Sequence, residues 1–239
     1  MTDWAPPPTP AWVLDLMGAV ERAFEKTGQA TPTWPDPHPD REVAEEEYSR
    51  LTDPDRYRIL DARVDAWSAV LGARGIATLQ DRGLASWLPG RGRGRSAAPV
   101  EQVLVPRQVG GLGLAVVRWS TAPRRFGIDL GLVAPGDDTS VLLESIPGCG
   151  CDACDSGSAD LLEQLDEWVL TVVRGGILHA RSAEASISRT FHGWQSSGRC
   201  SEAWLDPGTP APEGVRRWAG APWLDTQDSE RRIAPVGRP

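Results

Sequence analysis

Cys149, Cys151 and Cys154 stand within six residues of one another, in the run GCGCDACDSGS from Gly148 to Ser158. Three thiols separated by small residues can converge on one centre. As thiolates they bind metals and attack disulfides. Helical spacing begins directly after the run, so the loop lies before a helix N-terminus, whose partial positive charge favours the thiolate. Zinc suits this donor set, with four ligands in a tetrahedron at about 2.0–2.3 Å. The loop supplies three. Cys200 and His179 are the candidates for the fourth, then His192, with Asp152 and Asp155 as local oxygen donors. A closed four-ligand shell would be structural. Three ligands and a water would make a Lewis acid and a hydroxide source. A redox pair at Cys151 and Cys154 fits less well, because such a dithiol ordinarily opens a helix after a strand of a βαβ unit. Reduced thiols that merely pack a tight turn are the remaining reading.

Other chemistries find little support. The chain has three histidines and neither an H-E-x-x-H nor a G-x-S-x-G motif. His38 lies between prolines and reads as solvated. His179 and His192 read more readily as structural histidines than as bases. Lys26 is the only lysine and follows no glycine frame, which disfavours phosphate-loop and Schiff-base enzymes. Gly110, Gly111 and Gly113 lead into a strand pattern, not a helix, so they are no nucleotide loop. Arg91, Arg93 and Arg95 read as a solvated loop. A net charge of −8 argues against general nucleic-acid binding. No apolar run approaches the ~18–20 residues of a membrane span. The first residues lack the basic and apolar regions of a signal peptide, so the expected location is the cytoplasm. Four cysteines are too few for a disulfide scaffold in 239 residues.

Several elements must position the loop. Val13, Leu16, Met17, Val20 and Phe24 predict a helix ending at Gly28. The proline-rich stretch 31–40 predicts an extended arm anchored by Trp34. Asp53 and Pro54 read as a helix start, and Tyr57, Leu60, Val64, Trp67 and Leu71 continue one face to Gly75. Alternation at Val103 and Val105, at Leu112 to Val116, at Phe126 to Leu132 and at Val141 and Leu143 predicts an antiparallel meander of about four strands with one buried face. A helix follows from Ser158, its expected N-cap, to Gly175, with Leu161, Leu165, Trp168 and Val172 inward. Strands are expected at 177–181 and 184–192. Eleven tryptophans are many. Trp194, Trp204, Trp218 and Trp223 could line a groove for a sugar, a proline-rich peptide or a base, but pinning an irregular tail is the simpler role. The expected fold is α+β, an antiparallel sheet of about five to six strands packed against about three helices. Residues 12–225 form one domain in this reading, with 1–11 a disordered lead and 226–239 a disordered tail.

The GCGCDACDSGS run, followed by Leu161 to Leu165, Gly175, Gly176 and His179, resembles a protein family of unknown function from high-GC Gram-positive bacteria. The resemblance extends from about Trp34 to Trp223, through Gly193, Trp194 and Trp218. It implies no activity, cofactor or catalytic residue. The function expected from the residues is a bacterial binding or accessory protein with zinc in the C-x-C-x-x-C loop. A zinc-dependent or thiol enzyme with an open site at that loop is the alternative. A metal-free interaction protein using its tryptophan-rich C-terminal surface is the third.

Overall fold

The computed structural model describes residues 9–87, 100–119, 126–191 and 193–224. His192, the arginines at 91, 93 and 95, most of the lead and the tail from 226 lie outside them. In the described residues, two antiparallel sheets and three α-helices make an α+β fold.

Helix α1 spans Ala11–Thr27 and buries Val13, Leu16 and Val20. Gly28 closes it with its N–H on the Phe24 carbonyl at 2.8 Å. Helix α2, Arg58–Ala73, buries Leu60, Val64, Trp67 and Leu71 as their spacing requires. Its start differs from expectation. A 3-10 turn, Pro54–Tyr57, precedes it, and Asp53 sits at φ 47° without a side-chain capping bond. Proline at the first turn is retained, but the acid's left-handed backbone is not the extended conformation of a capping residue. Helix α3 spans Ser158–Val173, with Gly157 rather than Ser158 at the cap position.

The first sheet is a meander in sequence order: β1 Ala77–Arg82, β2 Glu101–Pro106, β3 Gly113–Arg118, β4 Ile128–Val133 and β5 Ser140–Ile146. Leu104 pairs with Leu114, Leu114 with Leu132, and Leu132 with Val141. This row meets the three helices in the main core. Val103 and Val105, expected on that face, lie on the opposite one, because successive strand residues alternate sides. There Val103 packs with Ala115, Val133 and Trp87. The sheet is therefore buried on both faces through β3 and β4. Trp87 closes over Gly131, where a Cβ would lie 2.5 Å from the indole.

A second sheet, absent from the sequence reading, has the order β8-β7-β6-β9. It comprises β6 Leu178–Arg181, β7 Ser186–Arg189, β8 Trp194–Ser197 and β9 Arg216–Ala219. Two of its strands come from the stretch expected to be irregular. Strands β1 and β8 were hidden by their edge positions, since β8 is exposed throughout and β1 along most of its length. An edge strand has too few buried neighbours to impose alternation. Trp223 ties the parts together: its indole N–H donates to the Leu112 carbonyl at 2.9 Å and its backbone N–H to Val173 at 2.8 Å.

Candidate metal centre

The cysteine loop joins β5 to α3. Gly150 lets it lie flat against Phe126, since a Cβ there would come 1.8 Å from the ring. Phe126 in turn stacks on Tyr57 with centroids 4.9 Å apart. The loop then makes a short 3-10 turn, Asp152–Cys154, and reaches Gly157 at φ 89°. Only glycine adopts that conformation readily, and a Cβ would also lie 2.6 Å from the Asp36 backbone nitrogen.

The Sγ atoms of Cys149, Cys151 and Cys154 all lie within 4.8 Å of one another. Cys149 and Cys151 approach to 3.2 Å. Sulfurs bound to a tetrahedral zinc at ~2.3 Å are about 3.8 Å apart, so small side-chain rotations would seat such an ion. All three thiols are free, with Cys149 and Cys154 exposed and Cys151 half-buried. The Cys151 backbone N–H, then its thiol, lowers the pKa of Cys149. The Cys151 and Cys149 sulfurs push Cys154 up to about 11. One thiolate thus forms readily and opposes the next, a conflict that a cation at the centre would relieve.

The two aspartates of the run are not available as ligands. Asp152 is buried and takes Arg50 Nε at 2.5 Å, the Thr52 N–H at 2.7 Å and the Thr52 hydroxyl at 2.7 Å. Burial opposes its ionisation, but Arg50 and Thr52 outweigh that and hold its pKa at about 2. Asp155 takes the Trp34 indole N–H at 2.9 Å, the Gly157 N–H at 3.0 Å and Arg56 at 3.0 Å. Asp155 therefore fastens the loop to the Trp34 arm, and Asp152 fastens it to Arg50 and Thr52, between that arm and α2.

That arm is anchored by Trp34, as its isolation among prolines suggested. Its backbone exchanges hydrogen bonds with Ser158, and its ring meets Tyr57 edge-on at 5.9 Å. His38, expected in solvent, is instead enclosed, its side chain only 9% exposed. Nδ1 lies 3.3 Å from the Asp155 carbonyl and Nε2 lies 3.5 Å from Glu47. Glu47 is buried, bridges both terminal nitrogens of Arg41 at 2.7 and 2.8 Å, and accepts the Ala44 N–H at 2.8 Å. Its pKa lies well below the usual carboxylate range, mainly through Arg41 and then Ala44. Sequence reading missed these braces because each partner lies about a hundred positions from the loop (Arg50 and Asp152, for instance) and no local pattern joins them.

His179 and Cys200 do not join the three sulfurs; among the described residues the ligand group is the cysteine triad alone. His179 is 2% exposed on β6, with Nδ1 2.8 Å from the Ser188 hydroxyl across to β7 and its ring 5.4 Å from Trp218 on β9. Burial, with Arg181 adding, lowers its pKa to about 4, so it is neutral at pH 7. Cys200 is half-buried beside Ala180, Ile187, Leu205 and Val215, the second sheet's own small core.

No helix among the described residues is long and apolar enough to cross a membrane. No curated protein and no solved structure matches this chain. A family profile does, over residues 20–227, a stretch that takes in the arm, all four cysteines and both sheets. The chain belongs to the family of unknown function DUF6226.

Proposed function

We propose that the protein binds a thiophilic divalent ion, zinc first, through Cys149, Cys151 and Cys154, and works as a binding or accessory protein. The convergence of three free sulfurs within 4.8 Å carries this reading. The braced loop supports it, because a preorganised donor set loses less ordering free energy on binding. With His179 and Cys200 elsewhere, none of the described residues completes the set, and this reading gives the fourth position to a water or an exogenous donor. Exposure of Cys149 and Cys154 fits an ion that exchanges with solution.

An open fourth position also suits a catalytic zinc. Against this second reading, Asp152 is engaged by Arg50 and Thr52 and Asp155 by Trp34 and Gly157, which leaves the loop without a free carboxylate as general base.

Elemental mass spectrometry on reduced protein, purified without chelator, tests the proposal. About one zinc per chain is expected, with its loss in Cys151→Ser. Metal-free protein whose thiols all titrate freely and that takes up no added zinc would refute it.

A further inference from the structure

Two hollows adjoin where α3 meets β5 and β8, each the edge strand of its sheet. One, of about 390 Å³, is lined by Glu144, Gln164, Glu167, Trp168 and Gln195. The other, of about 740 Å³, runs past Gly175, Gly176 and Phe191. Thr190, Gly193 and Trp194 line both, so they form one groove. Each volume falls in the roughly 300–1,000 Å³ range of small-molecule sites.

Its chemistry is mixed in a particular way. Trp194 is 51% exposed, an unusual state for an indole. Trp168, expected in the core, is only half-buried and forms part of the wall. Around these rings stand two carboxylates, two carboxamides and the hydroxyls of Thr171 and Thr190. Gln195 donates to Glu144 at 2.8 Å, which orients both groups and leaves the amide oxygen and further carboxylate lone pairs for a ligand.

A wholly apolar ligand would strand these polar groups without partners. An anion would meet Glu144 and Glu167. A quaternary ammonium would offer no donor or acceptor to the carboxamides and hydroxyls, and Arg189, 5.5 Å from the Trp194 centroid, already places a positive charge beside that ring. A sugar matches these rings and polar groups together. Its C–H faces lie on indoles, and its hydroxyls both donate to carboxylates and accept from amides.

We propose that this groove binds a neutral carbohydrate, with one ring packed on the part of Trp194 that Arg189 leaves exposed and hydroxyls held by Glu144, Gln164, Glu167 and Gln195. The site shares no residue with the cysteine loop and does not depend on metal.

Calorimetric titration of the full chain with cellobiose, maltose and trehalose, and separately with choline, tests this. Saturable binding of at least one disaccharide is expected, weakened about tenfold or more in Trp194→Ala. Because β8 is exposed throughout, that variant should melt as the wild type does. Gln195→Ala should weaken binding as well, which guards against an effect peculiar to the indole. Silence with all three sugars, sugar binding untouched by both substitutions, or binding of choline alone would overturn the proposal.

Discussion

His179 shows how a single residue's surroundings set its chemistry. A buried imidazole with Nδ1 on Ser188 and, among the described residues, no hydrogen-bond partner at Nε2 resists protonation. Its folded pKa of about 4 lies below the unfolded value of 6.5. The unfolded chain therefore takes up the proton first as pH falls. Stability from this group is complete above about pH 6.5 and disappears towards pH 4, up to about 3 kcal/mol. Urea midpoints between about pH 7 and pH 4.5 should fall in the wild type, and His179→Gln should flatten that part of the curve. An unchanged pH profile in the variant would assign the effect elsewhere. Asp152 acts in a lower window: its stabilisation is present above the ordinary value of 3.8 and is lost as pH falls through about 2.

The loop and the arm form one mechanical unit at the scale of elements. Gly157 allows the arm's backbone to pass at Asp36, and Gly150 allows contact with Phe126. Gly157→Ala combines a strained positive φ with a collision against backbone, and a cost of about 1–3 kcal/mol is expected. Gly148 has no atom nearer than 3.8 Å to an added Cβ, so Gly148→Ala is the control and should be nearly neutral. Thermal melts of the two variants check the contrast. Amide exchange at Ser158, whose N–H bonds the Trp34 carbonyl, would report whether the arm has lifted. Equal melting temperatures would mean that the arm does not brace the loop.

Across the whole molecule, a buried ion pair joins the three helices. Arg63 on α2, 2% exposed, donates to both oxygens of Asp166 on α3 at 2.9 and 2.5 Å. The Trp67 indole shares that carboxylate at 2.7 Å, and Glu21 on α1 reaches Arg63 at 2.5 Å. Removing one partner of such a pair leaves a charge buried without compensation, which typically costs about 3–5 kcal/mol. Asp166→Ala should therefore lower the urea-unfolding free energy by that order. Glu21→Gln, at a side chain 59% exposed, should cost under about 1 kcal/mol. Similar losses in both variants would contradict a buried network dominated by Asp166.

Local pattern determined a good deal by itself. The helical faces at Val13 to Val20, Leu60 to Leu71 and Leu161 to Val172, and the strands around Leu114, Leu130 and Val141, were legible because burial on one side repeats at a fixed period. The cysteine triad was legible because its donors sit within one turn of chain. Tertiary structure decided what depends on contacts between distant segments. It placed Val103 on the far face, paired β8 and β9 into a second sheet, and gave Asp152 to Arg50 and Asp155 to the arm. It also enclosed His38, kept His179 and Cys200 away from the sulfurs, and set Trp168 and Trp194 around a shared groove. Composition and spacing record which groups a residue can bond, whereas packing of the whole chain selects which partner arrives, because burial leaves each polar group a limited choice of neighbours.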